Sequence, residues 1–179
     1  MAFVRFSLRI KRLIAPHIAG ETVFDIGAGD FQHSEALATI AQKVIAIEPN
    51  DHWGIDRAKL MHANKRLQIV SARIGEIVPP DEPFVLWLSW PVNYRLRGLI
   101  DWFEKAKKIV YLGVNDGITA CGGPDLWSHL VTREILVEST VGRNRLSDCQ
   151  CNLVVYGDRL NEGRILRAEE ENAILSWIR

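Results

Sequence analysis

Five short apolar runs, at residues 22–26, 43–47, 67–70, 84–88 and 108–112, recur along the chain with helix-patterned stretches between them. None alternates apolar with polar residues, so each reads as buried on both faces. Strands of that kind belong inside a parallel sheet, whose neighbours need a crossover long enough to be a helix. The spacing predicts two such helices: 34–41, with Leu37, Ile40 and Ala41 on one side, and 94–107, with Leu96, Leu99, Ile100, Phe103 and Ala106. On the second, Asp101/Lys105 and Glu104/Lys108 stand four apart with the acid first, an order that supports an exposed helix surface. The β-α-β-α order from residue 22 onward predicts an α/β fold of three layers, a doubly wound, mostly parallel sheet between helices.

The two ends of the chain depart from this alternation. Before it, Leu8, Ile10, Leu13, Ile14 and Ile18 put an apolar stripe on a first helix at about 5–18, with Arg5, Arg9, Lys11 and Arg12 on its outer face. After it, 134–140 and 151–156 are strand-like and separated by polar, turn-forming 141–150, which predicts a C-terminal antiparallel hairpin and a seven-stranded sheet. Glu169, Glu170 and Glu171 then precede Ala173, Ile174, Leu175, Trp177 and Ile178, a terminal helix at about 168–178 whose N-terminal acids suit its dipole. At 179 residues and 47% hydrophobic, the chain supports a single domain, 1–179.

Lys plus Arg and Asp plus Glu number 22 each. No overall field therefore draws the chain onto nucleic acid or an anionic membrane, and such a contact needs a local patch. Arg5 to Arg12, or Arg143, Arg145 and Arg159, are the places where one could form. Cys121, Cys149 and Cys151 are an odd count without Cys-x-x-Cys or paired His spacing, which argues against a disulfide framework and a zinc site and fits a reducing cytosol. With no apolar run near the roughly 20 residues of a membrane span and no signal-peptide segment, the expectation is a soluble, cytoplasmic protein. The acid-free, Arg-containing start shares the composition of a transit peptide, but the same residues make the ordinary first helix.

The first strand runs into Val23-Phe24-Asp25-Ile26-Gly27-Ala28-Gly29-Asp30. Glycines at 27 and 29 let the backbone turn sharply and approach a ligand, while Asp25 puts a carboxylate acceptor beside the turn. In a doubly wound sheet, ligands bind beyond the carboxyl ends of the strands, where the strand order reverses. The second strand ends at Glu48, about 20 residues beyond the turn, where a carboxylate can accept from both ribose hydroxyls. Both features point to one nucleoside. Gln32 stands where a dinucleotide Gly-x-Gly-x-x-Gly turn wants glycine, and a pyrophosphate would meet Asp25 and Asp30, so hydride transfer is the minor reading. The bland alternative makes the glycines a structural turn, Asp25 a cap and Glu48 a solvent-facing strand end. The agreement of turn, second-strand acid, βα order and final hairpin argues against it.

Followed by Val44-Ile45-Ala46-Ile47-Glu48-Pro49, the Asp25-x-Gly27-x-Gly29 turn resembles the class I S-adenosylmethionine-dependent methyltransferase family over residues from about 20 to 157. The resemblance implies five parallel strands and a closing antiparallel hairpin, with a cofactor-binding half at about 20–90 and a substrate-side half at about 91–157. It implies S-adenosyl-L-methionine as cofactor, its methionine end at Asp25, Gly27, Ala28 and Gly29, and its ribose at Glu48 beside Pro49. Asn64 before the third strand and the loop Ser89-Trp90-Pro91-Val92-Asn93-Tyr94 after the fourth also fit the family. Two positions depart from it. Family members usually offer an acid to the adenine amine after the third strand, whereas Val70-Ser71-Ala72-Arg73-Ile74-Gly75-Glu76 leaves Ser71, backbone groups of Ala72, or Glu76. Phe31 stands where a third glycine or small residue is usual and would narrow the pocket.

The sulfonium of that cofactor carries an activated methyl group, so a protein has mainly to align a nucleophile at near-attack distance and exclude water. In the family the loop after the fourth strand faces the methyl group, and members acting on amino groups often place Asp or Asn and Pro-Pro-aromatic there. The departure here speaks against an amino-group acceptor, and against DNA adenine in particular. Ser89, also a cofactor contact, joins Asn93 and Tyr94 as the polar catalytic candidates; Trp90 either stacks on a planar substrate or closes the loop. Residues 113–124 would overhang the pocket as a lid or a plain surface loop. Asp116, Trp127, His129 and His33 are further substrate-side candidates, with surface or capping roles as their alternatives. The expected function is methyl transfer to a small molecule or protein side chain by in-line displacement, with no metal. The alternatives are a noncatalytic S-adenosylmethionine-binding or scaffold protein of the same fold, and an RNA or DNA methyltransferase.

Overall fold

The computed structural model describes residues 5–50, 54–90, 98–114, 123–143 and 150–160. Along them run α1 (Leu8–Ile18), β1 (Thr22–Ile26), α2 (Gln32–Leu37), β2 (Lys43–Ile47), α3 (Arg57–Ala63) and β3 (Leu67–Val70). A 3-10 turn at Ile74–Glu76 leads to β4 (Val85–Ser89), α4 (Ile100–Lys105), β5 (Lys108–Gly113), α5 (Gly123–Leu130), β6 (Arg133–Arg143) and β7 (Gln150–Arg159). The strands form one sheet in the order β3-β2-β1-β4-β5-β7-β6. The first five are parallel, and β7 lies antiparallel to both β5 and β6. The chain steps outward from β1 to β2 and β3, then returns to the other side of β1 at β4. The β1/β4 boundary is therefore the switch point, and the turns leaving those two strands open beside it.

Neighbouring residues in a strand point to opposite faces, which is why runs buried on both sides show no alternation. Val23, Val44, Val85, Trp87, Val110 and Leu153 meet Ile10, Ile14 and Ile18 of α1 and Leu37 of α2 on one face. Phe24, Leu86, Leu88, Ile109 and Tyr111 meet Trp102 and Phe103 of α4 and Leu126 and Leu130 of α5 on the other. α1 starts where the Ser7 hydroxyl accepts the Ile10 N–H at 3.2 Å. Its three isoleucines are fully buried, whereas Leu8, expected on the same stripe, is 73% exposed.

Several expectations need correction. β4 sits one residue later than 84–88, and the hairpin strands extend beyond 134–140 and 151–156 at both ends. The helix expected at 34–41 begins and ends earlier as α2, because Phe31 at its N-cap turns left-handed and Ala41 pairs with Ala19 in a bridge. Of the described 98–107 only α4 is helical; 94–97 lie outside the described residues, and the Gly98 Cα packs so near Gly75 that a Cβ would stand 2.8 Å from it. Neither expected pair forms: Lys105 bonds Asp81 at 2.6 Å rather than Asp101 within the helix, and Lys108 lies beyond the end of α4, leaving Glu104 to face Arg159 at 3.6 Å. α3 and α5 were not expected. No residue of α3 is buried, so it carries little apolar periodicity. The terminal helix expected at 168–178 lies outside the described residues. No described helix is long and apolar enough to cross a membrane.

Candidate functional site

The chain leaves β1 through Gly27 (φ +71°) and Gly29 (φ +57°), left-handed values that cost a residue with a Cβ about 1–2 kcal/mol. Backbone N–H groups of Gly27 and Ala28 donate to the Ile47 carbonyl at 2.9 and 3.2 Å, tying the turn to the end of β2. Nothing lies within 4 Å of where a Cβ on Gly27 would stand, so the turn is open there. Phe31 keeps a glycine's backbone conformation, with φ +60°. Its ring is 1% exposed in the α1/α2 core, so the core takes up the bulk expected to narrow the turn.

Asp25 is 1% exposed, and its Oδ2 accepts the Ser34 hydroxyl at 2.5 Å from the start of α2. Oδ1 has no hydrogen-bond partner among the described residues. Burial pushes the carboxyl up to about 7; the Ser34 bond opposes this, while the charges of Glu48 and Asp30 add to it. Glu48 is 6% exposed, so the solvent-facing strand end is excluded. Its Oε2 accepts the Gly29 N–H and its Oε1 the Asn50 N–H, each at 3.0 Å. One carboxylate thus bridges the β1 turn and the β2 loop, and each oxygen retains a second acceptor position.

Arg57, at the start of α3, was not anticipated. It donates from Nη1 to the Glu48 carbonyl at 3.2 Å and to the Ser71 hydroxyl, and from Nη2 to the Asn50 carbonyl at 2.6 Å. Its guanidinium carbon stands 5.4 Å over the Phe31 ring. The side chain therefore clamps the ends of β2 and β3 to the α2 entrance. A lone arginine in a segment without apolar periodicity offers no sequence signal for this. Arg57→Ala is expected to speed amide exchange at Asn50 and Ser71 by about tenfold, the loss of roughly one net hydrogen bond, while the sheet stays protected. Unchanged exchange at both amides would remove the clamp.

The other candidates are distributed unevenly. Ser71 is exposed and held by Arg57, Ala72 is half-buried beside it, and Pro49 is exposed after Glu48. Glu76 accepts the Arg73 N–H at 2.9 Å, so its carboxylate caps its own turn. Ile26 pairs with Leu88, which brings Ser89, half-buried, to the same sheet edge as Gly27. Trp90 has φ +52°, donates its N–H to the Leu112 carbonyl at 2.9 Å and packs on the α1/α2 core. Asn93, Tyr94 and Asp116 lie outside the described residues. His33 does not face solvent: it is buried, its ring 5.9 Å from Phe6 and Trp87. Trp127 and His129 pack on the opposite face, against Tyr111 at 5.0 Å and Phe103 at 5.9 Å, so neither joins the turn. Among the described residues no group of three or more His, Cys, Asp or Glu could hold a metal ion.

This arrangement of strands and helices is similar to that of solved structures. N-methyltransferase NodS from Bradyrhizobium japonicum WM9 superposes with a TM-score of 0.64 at 12% identity, over 85% of this chain and 93% of NodS. The 23S rRNA methyltransferase ErmE gives 0.60 at 16% identity, over 90% and 73%. The fold is that of the class I methyltransferases. An rRNA methylase from Streptococcus thermophilus shares this methyltransferase fold, with a TM-score of 0.57 at 9% identity over 85% and 95%. No family model and no curated protein matches the sequence. In this methyltransferase fold, Asp25, Glu48 and Ser89 stand at the carboxyl ends of β1, β2 and β4, next to the switch point.

Proposed function

We propose that the chain binds S-adenosylmethionine across the ends of β1 and β2 and transfers its methyl group to an acceptor held at the β4 loop. The observation that carries this reading is Glu48, a buried carboxylate fixed by two backbone N–H groups with acceptor positions to spare, next to an open glycine turn. Those positions suit two ribose hydroxyls, and Asp25 suits the ammonium at the methionine end. NodS, of the same fold at a TM-score of 0.61 and 10% identity, was crystallised with S-adenosyl-L-homocysteine, which supports the cofactor. When bound, the cofactor supplies an activated methyl group on a sulfonium. The chain's own part is to bind, align and exclude water. Gly27, Ala28 and Gly29 take the cofactor backbone, Ser71 and Ala72 border the base, and Ser89, Asn93 and Tyr94 orient the acceptor. Overall neutrality favours a small molecule or protein side chain as acceptor; only a local cluster of cations favours nucleic acid.

Titration calorimetry with S-adenosylhomocysteine tests the site. Glu48→Ala is expected to weaken binding about ten- to a hundredfold, the equivalent of roughly 1.5–3 kcal/mol for hydrogen bonds to a charged group. Equal affinity in the variant refutes the assignment, and no binding by the natural protein refutes the reading. A noncatalytic cofactor binder is the second reading, favoured by Trp90, whose ring packs on the core where a substrate-stacking ring would stand open. Labelled-methyl transfer to separated small-molecule, protein and RNA fractions decides between them.

A further inference from the structure

α1 concentrates positive charge on a chain that has none overall. Arg5, Arg9, Lys11 and Arg12 fall in a stretch whose first acid is Glu21. Elsewhere Lys107 and Lys105 meet carboxylates, Glu21 at 2.7 Å and Asp81 at 2.6 Å. None of these four does so among the described residues. Arg9 Nη2 donates to the Ser139 hydroxyl of β6 at 3.2 Å, and Lys11 Nζ to the Thr39 hydroxyl at 3.1 Å. Arg5 and Arg12 are exposed and have no hydrogen-bond or ion-pair partner among the described residues. On the neighbouring elements, Glu35 of α2 and Glu138 of β6 are exposed and pair with none of them; Glu138 instead acts on Tyr156, in the core of the opposite face.

The strip begins at the proposed site. Phe6, between Arg5 and the helix, has its ring 5.9 Å from both His33 and Trp87, and Trp87 stands opposite Asp25 in the β1/β4 register. From there the cations follow α1, with Arg9 meeting β6 on one flank and Lys11 meeting Thr39, just after α2, on the other.

We propose that this strip binds the phosphodiester backbone of RNA and that the acceptor is a nucleotide of the bound RNA. Binding stands on the charge of α1; the acceptor role rests on the methyl-transfer reading. Cations whose partners are neutral hydroxyls can exchange them for phosphate oxygens, gaining a charge-assisted bond, and the hydroxyls of Ser139 and Thr39 can contact the same backbone. A bilayer is the poorer partner, because Ile10, Ile14 and Ile18 of α1 are fully buried against the sheet and Leu8 alone is too little apolar surface to insert. An 11-residue helix is about 16 Å long, enough for a few nucleotides of single strand. Reaching an acceptor position at the β4 loop, beside a cofactor held at the ends of β1 and β2, requires a base free of its stack, which RNA loops and ends offer.

The test uses the full chain and a short fluorescent single-stranded RNA, with polyglutamate and phosphatidylserine vesicles as alternative probes. Binding is expected to fall with salt along a logarithmic slope of about −0.7 per phosphate contacted. Changing Arg5, Arg9 and Arg12 to Gln is expected to flatten that slope by about 2 and to cost at least about tenfold in affinity at low salt. Glutamine keeps helix propensity, and circular dichroism checks the fold; Arg12→Gln alone, with a slope change of about 0.7, is the milder version. RNA bound no more tightly than polyglutamate or vesicles, or variants that bind as the natural protein does, would overturn the proposal. S-adenosylhomocysteine affinity is expected to be unchanged in these variants. A protein that binds RNA but not S-adenosylhomocysteine loses the methyl-transfer reading and keeps the RNA surface, and the reverse result does the opposite.

Discussion

Asp25→Asn is expected to make the unliganded protein more stable above neutral pH and to disable it as a cofactor-binding protein. The carboxyl titrates near 3.8 when solvated and at about 7 in the fold, mainly because burial disfavours its charge. Below about pH 4 it is protonated in both states and costs nothing. As pH rises from 4 to 7, the unfolded chain loses the proton while the folded one holds it, so stability falls. Above 7 the penalty is complete, at about 4 kcal/mol for a rise of roughly three pH units. Asparagine has the same shape and no charge, and it can still meet the Ser34 hydroxyl. Urea unfolding is expected to show a gain of a few kcal/mol at pH 8 and none at pH 4; a loss at pH 8 would mean the carboxylate is not strained.

The same charge is what a cationic ligand would select. An ammonium beside Asp25 favours the ionised form, so affinity for S-adenosylhomocysteine should rise about tenfold per pH unit up to 7 and then level. Near pH 6 binding should release close to one proton, seen as a dependence of the calorimetric heat on the buffer's ionisation enthalpy. Asp25→Asn should bind about ten- to a hundredfold more weakly at pH 8 and show neither the slope nor the proton. The stability cost and the binding role thus have one source, a carboxylate kept dry for a partner it meets only on binding.

The parts of this architecture that sequence makes legible are those where the same physics acts on every residue of a segment. β1, β2 and β3 have the boundaries read from their apolar runs, although β3, expected inside the sheet, stands at its edge with Gln68 exposed and only Leu67 buried. Gly27, Gly29 and Glu48 are legible because left-handed backbone and a strand-end acid about 20 residues on are rare together. α3 was not legible, since it packs only a half-buried Leu60 on the core, and with it Arg57 was lost, whose partners are mostly backbone carbonyls that no residue type announces. Phe31 misled in another way: the backbone accepts the left-handed angle, and the ring repays it by filling the core. The α4 pairs failed for two reasons: Lys108 lies beyond the helix end, and Lys105 and Glu104 meet Asp81 and Arg159 from outside the helix.

Arg133 is the residue on which the far end of the sheet depends, and Arg133→Ala is expected to cost about 3–5 kcal/mol. It is 4% exposed at the start of β6, yet no carboxylate forms an ion pair with it among the described residues. It donates to the Gly157 carbonyl of β7 at 2.7 Å, to the Ala106 carbonyl at 2.9 Å and to the Phe103 carbonyl. The last two belong to the end of α4, where a helix leaves carbonyls unpaired and carries the negative end of its dipole. Burial and the charge of Arg159 lower its affinity for the proton, with Asp158 opposing, but a guanidinium stays charged. Removing it strands three carbonyls and opens a cavity. Arg133→Met refills the volume but satisfies no carbonyl, so it should lose most of the same stability, and Arg133→Lys should recover only part, because one ammonium cannot match a planar fork. Urea unfolding of the three variants distinguishes the roles; a methionine variant within about 1 kcal/mol of the natural protein would make the guanidinium mere filling. Because these bonds lie where α4 ends and β6 begins, away from the carboxyl ends of β1, β2 and β4, the folded fraction of each variant should bind S-adenosylhomocysteine with natural affinity.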